Sequence, residues 1–251
     1  MCTVIILRRP DQDWPLIIGA NRDEMIDRRW LPPGRHWPDR PEVTAGRDVL
    51  AGGSWLGVND HGVAAGILNR MGSLGPAPGQ RSRGELVLEA LDHADAAAAA
   101  EALAAIEPRA YRTFNLIIAD NRDAFWLRHA DPSGTLPVTV TPIAPGLSMI
   151  AAGDLDDETP RLRRYHPLFA AAAPPDPEAG DWTAWERLLL DDSPGPEGNG
   201  ERALRFTTDH GFATVSSALI ALPAVGRAEK HIRFRFAGHQ PKATPWQDIL
   251  P

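Results

Sequence analysis

What most constrains this chain is a recurring unit: a short apolar or β-branched run, a tight polar turn, and a second apolar run. Thr3–Leu7 and Leu16–Ile18 flank the turn Arg9–Pro15 and predict an antiparallel hairpin. Its centre falls near residues 11–12, so facing residue numbers sum to about 23 and Cys2 lies beside Asn21. Asn21–Glu24 ends that hairpin, and a Pro- and Arg-rich loop follows over 28–41. Leu50–Val58 and Val63–Leu68 flank Asn59–Gly62 as a second hairpin signal. Phe114–Ala119 and Ala124–Leu127 flank Asp120–Asp123 as a third. Leu147–Ala152 reads as one more strand, and Thr214–Ala221 with His231–Phe236 completes the sheet. The tail from Gly238 reads as surface.

Helical patterns sit between these hairpins. Arg83–His93 is amphipathic, Ala94–Ile106 is alanine-rich, and Leu162–Ala173 has helical spacing. Residues 174–200 are rich in Pro, Gly and Asp around one helical piece, Trp182–Leu190. This composition suits a loop insertion, with a lid over a site as the alternative. Antiparallel strands with helices grouped between them predict α+β layers. With no repeat and no linker, residues 1–251 read as one domain.

Composition narrows the function classes. A net charge of −7 gives no general attraction to nucleic acid or anionic membrane. One cysteine excludes an intramolecular disulfide framework and any Cys-only zinc site. No apolar run approaches a membrane span, and Val4–Leu7 is too short for a secretory signal. These features predict a cytoplasmic protein with a small-molecule substrate or ligand.

The position of that cysteine carries chemistry. Removal of Met1 would leave Cys2 with both a thiol and a free α-amine, whose ordinary pKa values are about 8.5 and 7.7–8.0. A neutral amine can take the thiol proton, so one residue supplies nucleophile and base. Asn21 and Asp23 offer acceptors to the amine, and Arg22 favours thiolate. The alternative reading of a lone strand cysteine is a small buried apolar residue.

Met1-Cys2-Thr3, Ala20-Asn-Arg-Asp-Glu24, Gly53-Ser-Trp-Leu-Gly-Val-Asn-Asp-His-Gly62 and Leu68-Asn-Arg70 together resemble the NRDE family, also called the transport-and-Golgi-organisation family. Ser82–Leu86 and Phe114–Leu116 continue the likeness, and Gly153–Asp156 and Thr214–Ile220 extend it more loosely. The resemblance implies an N-terminal-nucleophile hydrolase-like αββα sandwich, four layers built on two mostly antiparallel sheets, related to bile-salt hydrolases and penicillin V acylases. It implies Cys2 as nucleophile, Asp23 as the amine-binding aspartate and Asn69 as an oxyanion donor. This chain departs from the pattern in three places. Ala20 and Asn21 stand where an arginine precedes the aspartate, with Arg22 displaced toward it. Alanine in Ile150-Ala-Ala-Gly153 replaces a second oxyanion asparagine, and Val215 replaces an arginine.

The resulting expectation is a cysteine hydrolase acting on a non-peptide amide or thioester. Cys2, Asn21, Arg22, Asp23 and Asn69 would be catalytic, and Gly53 and Trp55 would bind substrate. The alternative is a non-catalytic carrier of haem or an acyl-CoA or lipid ligand in the same fold. No cofactor is required on either reading, and no metal site is expected. Haem would be a ligand, although no Cys-x-x-Cys-His motif marks one. His61 reads as a solvated turn residue, and Asp154–Glu158 as a solvated acidic turn rather than a cation loop.

Overall fold

The computed structural model describes residues 2–195, 203–227 and 231–249. Strand β1 (Thr3–Arg8) pairs antiparallel with β2 (Leu16–Met25), as the first hairpin signal predicts. The register differs by one residue: Thr3 faces Asn21 and Val4 faces Ala20, so facing numbers sum to 24. Continuing this register sets Cys2 opposite Arg22 rather than Asn21. Strand β2 also runs on through Asn21–Met25 instead of ending there, because the late strand β11 (Phe212–Leu222) pairs along its whole length.

The second and third hairpins are β5 (Leu56–Asn59) with β6 (Ala64–Asn69), and β7 (Phe114–Ala119) with β8 (Ala124–His129). The strand expected near 147–152 is β10 (Gly146–Ile150), and β12 (Arg233–Gly238) follows β11. Four strands were not anticipated: β3 (Trp30–Gly34), β4 (Val43–Asp48), β9 (Thr139–Pro142) and β13 (Gln247–Ile249). Three of these are sheet edges. Prolines in β3 and β9 are tolerated there because an edge leaves backbone N–H positions unpaired. An edge strand also lacks the buried alternation that marks a strand in sequence. The tail beyond Gly238, expected as plain surface, contributes β13 against β12.

One sheet has six strands in the order β10-β1-β2-β11-β12-β13, the other seven in the order β3 through β9. Val4, Ile6, Ile18 and Ile220 of the first pack against Leu56, Val58, Leu68 and Ile117 of the second, forming the central core. Helices α1 (Gly84–Leu91) and α2 (Ala96–Ala104) cover the outer face of the seven-stranded sheet. In α2 the buried residues Ala96, Ala99, Ala100 and Leu103 recur at helical spacing, and Asp95 caps the first turn by accepting from the Ala98 N–H at 2.8 Å. Helices α3 (Pro160–Ala171) and α4 (Thr183–Leu189) cover the six-stranded sheet. The result is the expected α+β, αββα order of layers.

The 174–200 segment differs from a loop insertion over its described part. Trp182, Trp185 and Leu189 are buried with Ile17 and Leu219 beneath the six-stranded sheet. Gly19 makes room for this docking, since a Cβ there would meet the Trp185 ring at 3.1 Å. Residues 196–200 lie outside the described residues.

Candidate active site

Alternation along β2 sorts the Asn21–Glu24 side chains onto two faces. Ala20 and Arg22 face the opposite sheet, while Asn21 and Asp23 face the α3/α4 layer. Cys2 packs on the central core and therefore shares the face of Arg22. Its half-buried Sγ accepts from the Asp23 backbone N–H at 3.3 Å and lies 3.6 Å from the Asp23 carbonyl. Burial pushes the thiol pKa up, the Asp23 carboxylate adds to this, and Arg22 opposes it.

Asn21, expected beside the thiol, is turned away from it. Its Nδ2 donates to the Leu189 and Leu204 carbonyls at 2.8 Å each, and its Oδ1 accepts from Ser217 at 2.6 Å. Asn21 thus clamps α4 and the 204 segment to the sheet. Asp23 is buried; its Oδ1 accepts from Thr214 Oγ1 at 2.7 Å and its Oδ2 from Arg161 at 3.2 Å. Arg161 also donates to Thr3 Oγ1, at 3.2 Å, and stacks over Phe206. Neither Arg161 nor Thr214 was singled out from sequence, since both come from elements more than a hundred residues away.

Arg22 lies over the Trp55 ring at 4.2 Å, a cation–π arrangement, with Asp48 at 3.4 Å and Glu24 at 3.7 Å. Burial pulls its pKa down against the pull of those carboxylates. Its NH1 nitrogen is buried and has no hydrogen-bond partner among the described residues. Trp55 lies flat because Gly46 is beneath it; a Cβ there would come within 2.3 Å of the ring. Gly53, expected to touch substrate, instead packs on the start of α1, where a Cβ would meet the Gly84 carbonyl carbon at 2.4 Å. Its role is to let the 50s loop seat Ser82–Gly84 beside the site.

These residues enclose a cavity of about 270 Å³ whose lining includes Cys2, Arg22, Trp55, Asn69, Arg83 and Arg112. Asn69 ends β6 on the wall of this cavity. The next residue, Arg70, points elsewhere, donating to Asn115 Oδ1 at 2.6 Å and to Asp154 Oδ1 at 2.6 Å. Asn115 in turn donates to the carbonyls of Ala151, at 3.1 Å, and Gly153, at 2.7 Å. The stretch carrying the two alanines is therefore held by its backbone. The acidic turn stays solvent-accessible, as expected, while Asp154 takes both Arg70 and Arg128 and Asp156 accepts from the Met149 N–H at 2.6 Å. His61 lies 3.1 Å from Glu42 at the surface, on its hairpin turn. Val215 is buried beside a register shift in β11, where its carbonyl accepts from the His239 N–H at 2.8 Å.

Three solved structures share this fold. A Caenorhabditis elegans N-acylethanolamine-hydrolyzing acid amidase ortholog has a TM-score of 0.57 at 13% identity, with 91% of this chain and 95% of that chain covered. Penicillin V acylase from Agrobacterium tumefaciens gives 0.52 at 15% identity, covering 99% and 86%. A mutant conjugated bile acid hydrolase from Clostridium perfringens gives 0.54 at 13% identity, covering 99% and 92%. At these identities the likeness shows the fold, the N-terminal-nucleophile hydrolase-like sandwich, and leaves the reaction to the site. No curated protein matches the chain by sequence. The family described as Transport and Golgi organisation 2 matches residues 1–189, in agreement with the motifs at 1–3, 20–24, 53–62 and 68–70. The chain belongs to the Transport and Golgi organisation 2 (NRDE) family.

Proposed function

We propose that this protein is an N-terminal cysteine hydrolase acting on a non-peptide amide or thioester, in the reducing environment of the cytoplasm. The observation that carries this reading is the placement of Cys2. It immediately precedes the inner strand β1, in a cavity lined by Arg22 and Asn69, with the buried Asp23 carboxylate on the neighbouring strand. The structural neighbours, named as an amidase, an acylase and a hydrolase, support the same class of bond.

While Met1 is attached, burial and Asp23 hold the thiol neutral and the site lacks a base. Removal of Met1 places an α-amine beside Sγ, with Asp23 to orient it. The thiol proton then passes to the amine as sulfur bonds the substrate carbonyl carbon. The carbonyl oxygen becomes an oxyanion and accepts from the Asn69 carboxamide. Collapse breaks the C–N or C–S bond, and the ammonium returns the proton to the leaving group. Water, deprotonated by the same amine, releases the acyl group as a carboxylic acid and restores the thiol.

The test is the intact mass of the native-start protein before and after brief iodoacetamide treatment, followed by an amide and thioester panel. Loss of Met1, one fast alkylation and turnover abolished by Cys2→Ser are expected. A retained Met1 or an unreactive thiol overturns the hydrolase and leaves carriage of haem, acyl-CoA or lipid. Titration of those ligands would then follow, and a Soret shift lost in Cys2→Ala would identify iron ligation by the thiolate.

A further inference from the structure

The charges around the cavity do not cancel locally. Arg22 and Arg28 are matched by Glu24 and Asp48, with Arg28 Nε 2.6 Å from Asp48. Arg81 faces Glu85 at 2.6 Å and Glu89 at 3.4 Å, and Asp23 is engaged by Arg161. Two guanidiniums stand outside these ion pairs. Arg83 donates to Ser73 Oγ and the Thr113 carbonyl at 2.9 Å each, and Arg112 donates to the carbonyls of Gly72 and Leu74 at 2.8 and 2.6 Å. Neither forms an ion pair with a carboxylate among the described residues. Carbonyl oxygens hold a guanidinium in place without neutralising it. The two cations repel, and burial with that repulsion brings Arg83 down to about 10. The six guanidiniums and five carboxylates named here leave a net positive charge at the cavity, in a chain of net charge −7. On the floor of the same cavity, Arg22, 6% exposed, keeps NH1 without a partner.

We propose that Arg83 and Arg112, beside the buried guanidinium of Arg22, form an oxyanion-recognition subsite, so that the group processed at Cys2 carries a carboxylate or phosphate. A guanidinium already fixed by carbonyls presents its remaining N–H groups at little entropic cost, which suits planar recognition of such anions. The size of the cavity agrees. About 270 Å³ holds roughly nine water-sized groups, enough for a short acyl chain with one anionic end. This deepens the hydrolase reading by naming its substrate class.

Calorimetric titration with inorganic phosphate, succinate and neutral succinamide tests the subsite without requiring turnover. Saturable binding of phosphate or succinate but not succinamide is expected, and the preferred anion distinguishes a phosphate from a carboxylate substrate. Arg112→Gln and Arg83→Gln should each weaken it about tenfold or more, as loss of a charge-assisted hydrogen bond does. Arg112→Lys should recover most of the affinity, which a purely loop-holding arginine would not. The bound anion should also slow alkylation of Cys2 by iodoacetamide. Absence of saturable anion binding, or equal binding by the glutamine variants, overturns the subsite. Anion binding that persists without any turnover would instead overturn the hydrolase alone.

Discussion

Asn21 and Asp23 are two residues apart on one strand, share the outer face, and do different work. Asn21→Ala would remove the side-chain amide donor from the Leu189 and Leu204 carbonyls and the acceptor of the Ser217 hydroxyl, at a cost of about 2–4 kcal/mol by urea unfolding. Because the side chain never faces Cys2, the alkylation rate of the folded variant should be unchanged. Asp23→Asn should cost about 3–5 kcal/mol, since it breaks the buried Asp23–Arg161 ion pair. It should also abolish turnover, by removing the group that orients the amine. Gly46→Ala tests the floor of the site: the added methyl must displace Trp55, with a cost of about 1–3 kcal/mol. A crystal structure of that variant should show the Arg22–Trp55 stack disrupted.

At the scale of elements, hairpins whose strands alternate or are β-branched were legible in the sequence, while edge strands were not. Helix α4 was legible as the helical piece Trp182–Leu190, but its burial was not. Its surroundings are rich in Pro, Gly and Asp, which reads as a loop, yet three large side chains anchor it beneath the six-stranded sheet. Trp185→Ala should cost about 3–5 kcal/mol, the range for removing a buried aromatic. A lid would lose little stability from that change, so the unfolding midpoint separates an anchored layer from a mobile cover. Loss of α4 docking should also loosen Asn21, which hydrogen-bonds the Leu189 carbonyl at its end.

For the molecule as a whole, stability should depend on pH through a histidine that touches neither Cys2 nor its cavity. Ser217 spends its one proton on Asn21, so the His239 nitrogen 2.8 Å away must carry the hydrogen of that contact. Burial, aided by Arg205, brings the His239 pKa down to about 4. The unfolded chain therefore takes up a proton near pH 6.5 while the folded chain does not, and stability falls as pH drops from about 6.5 to 4. Below that window both states are protonated and this contribution levels off. Urea unfolding across pH 4–7 should show the slope, and His239→Gln should flatten it.

The sequence by itself determined the hairpins, the helical stretches between them and the layered α+β class, and it nominated Cys2, Asp23 and Asn69 as candidates, because period, turn chemistry and motif are local properties. The tertiary structure decided which face each residue serves. A register one residue off the hairpin estimate moves Arg22 opposite Cys2 and sends Asn21 to the far layer, since side chains alternate with a period of two. It also brought Arg161, Thr214, Arg83 and Arg112 to the site from distant elements, and no local pattern encodes a contact made only when two layers pack.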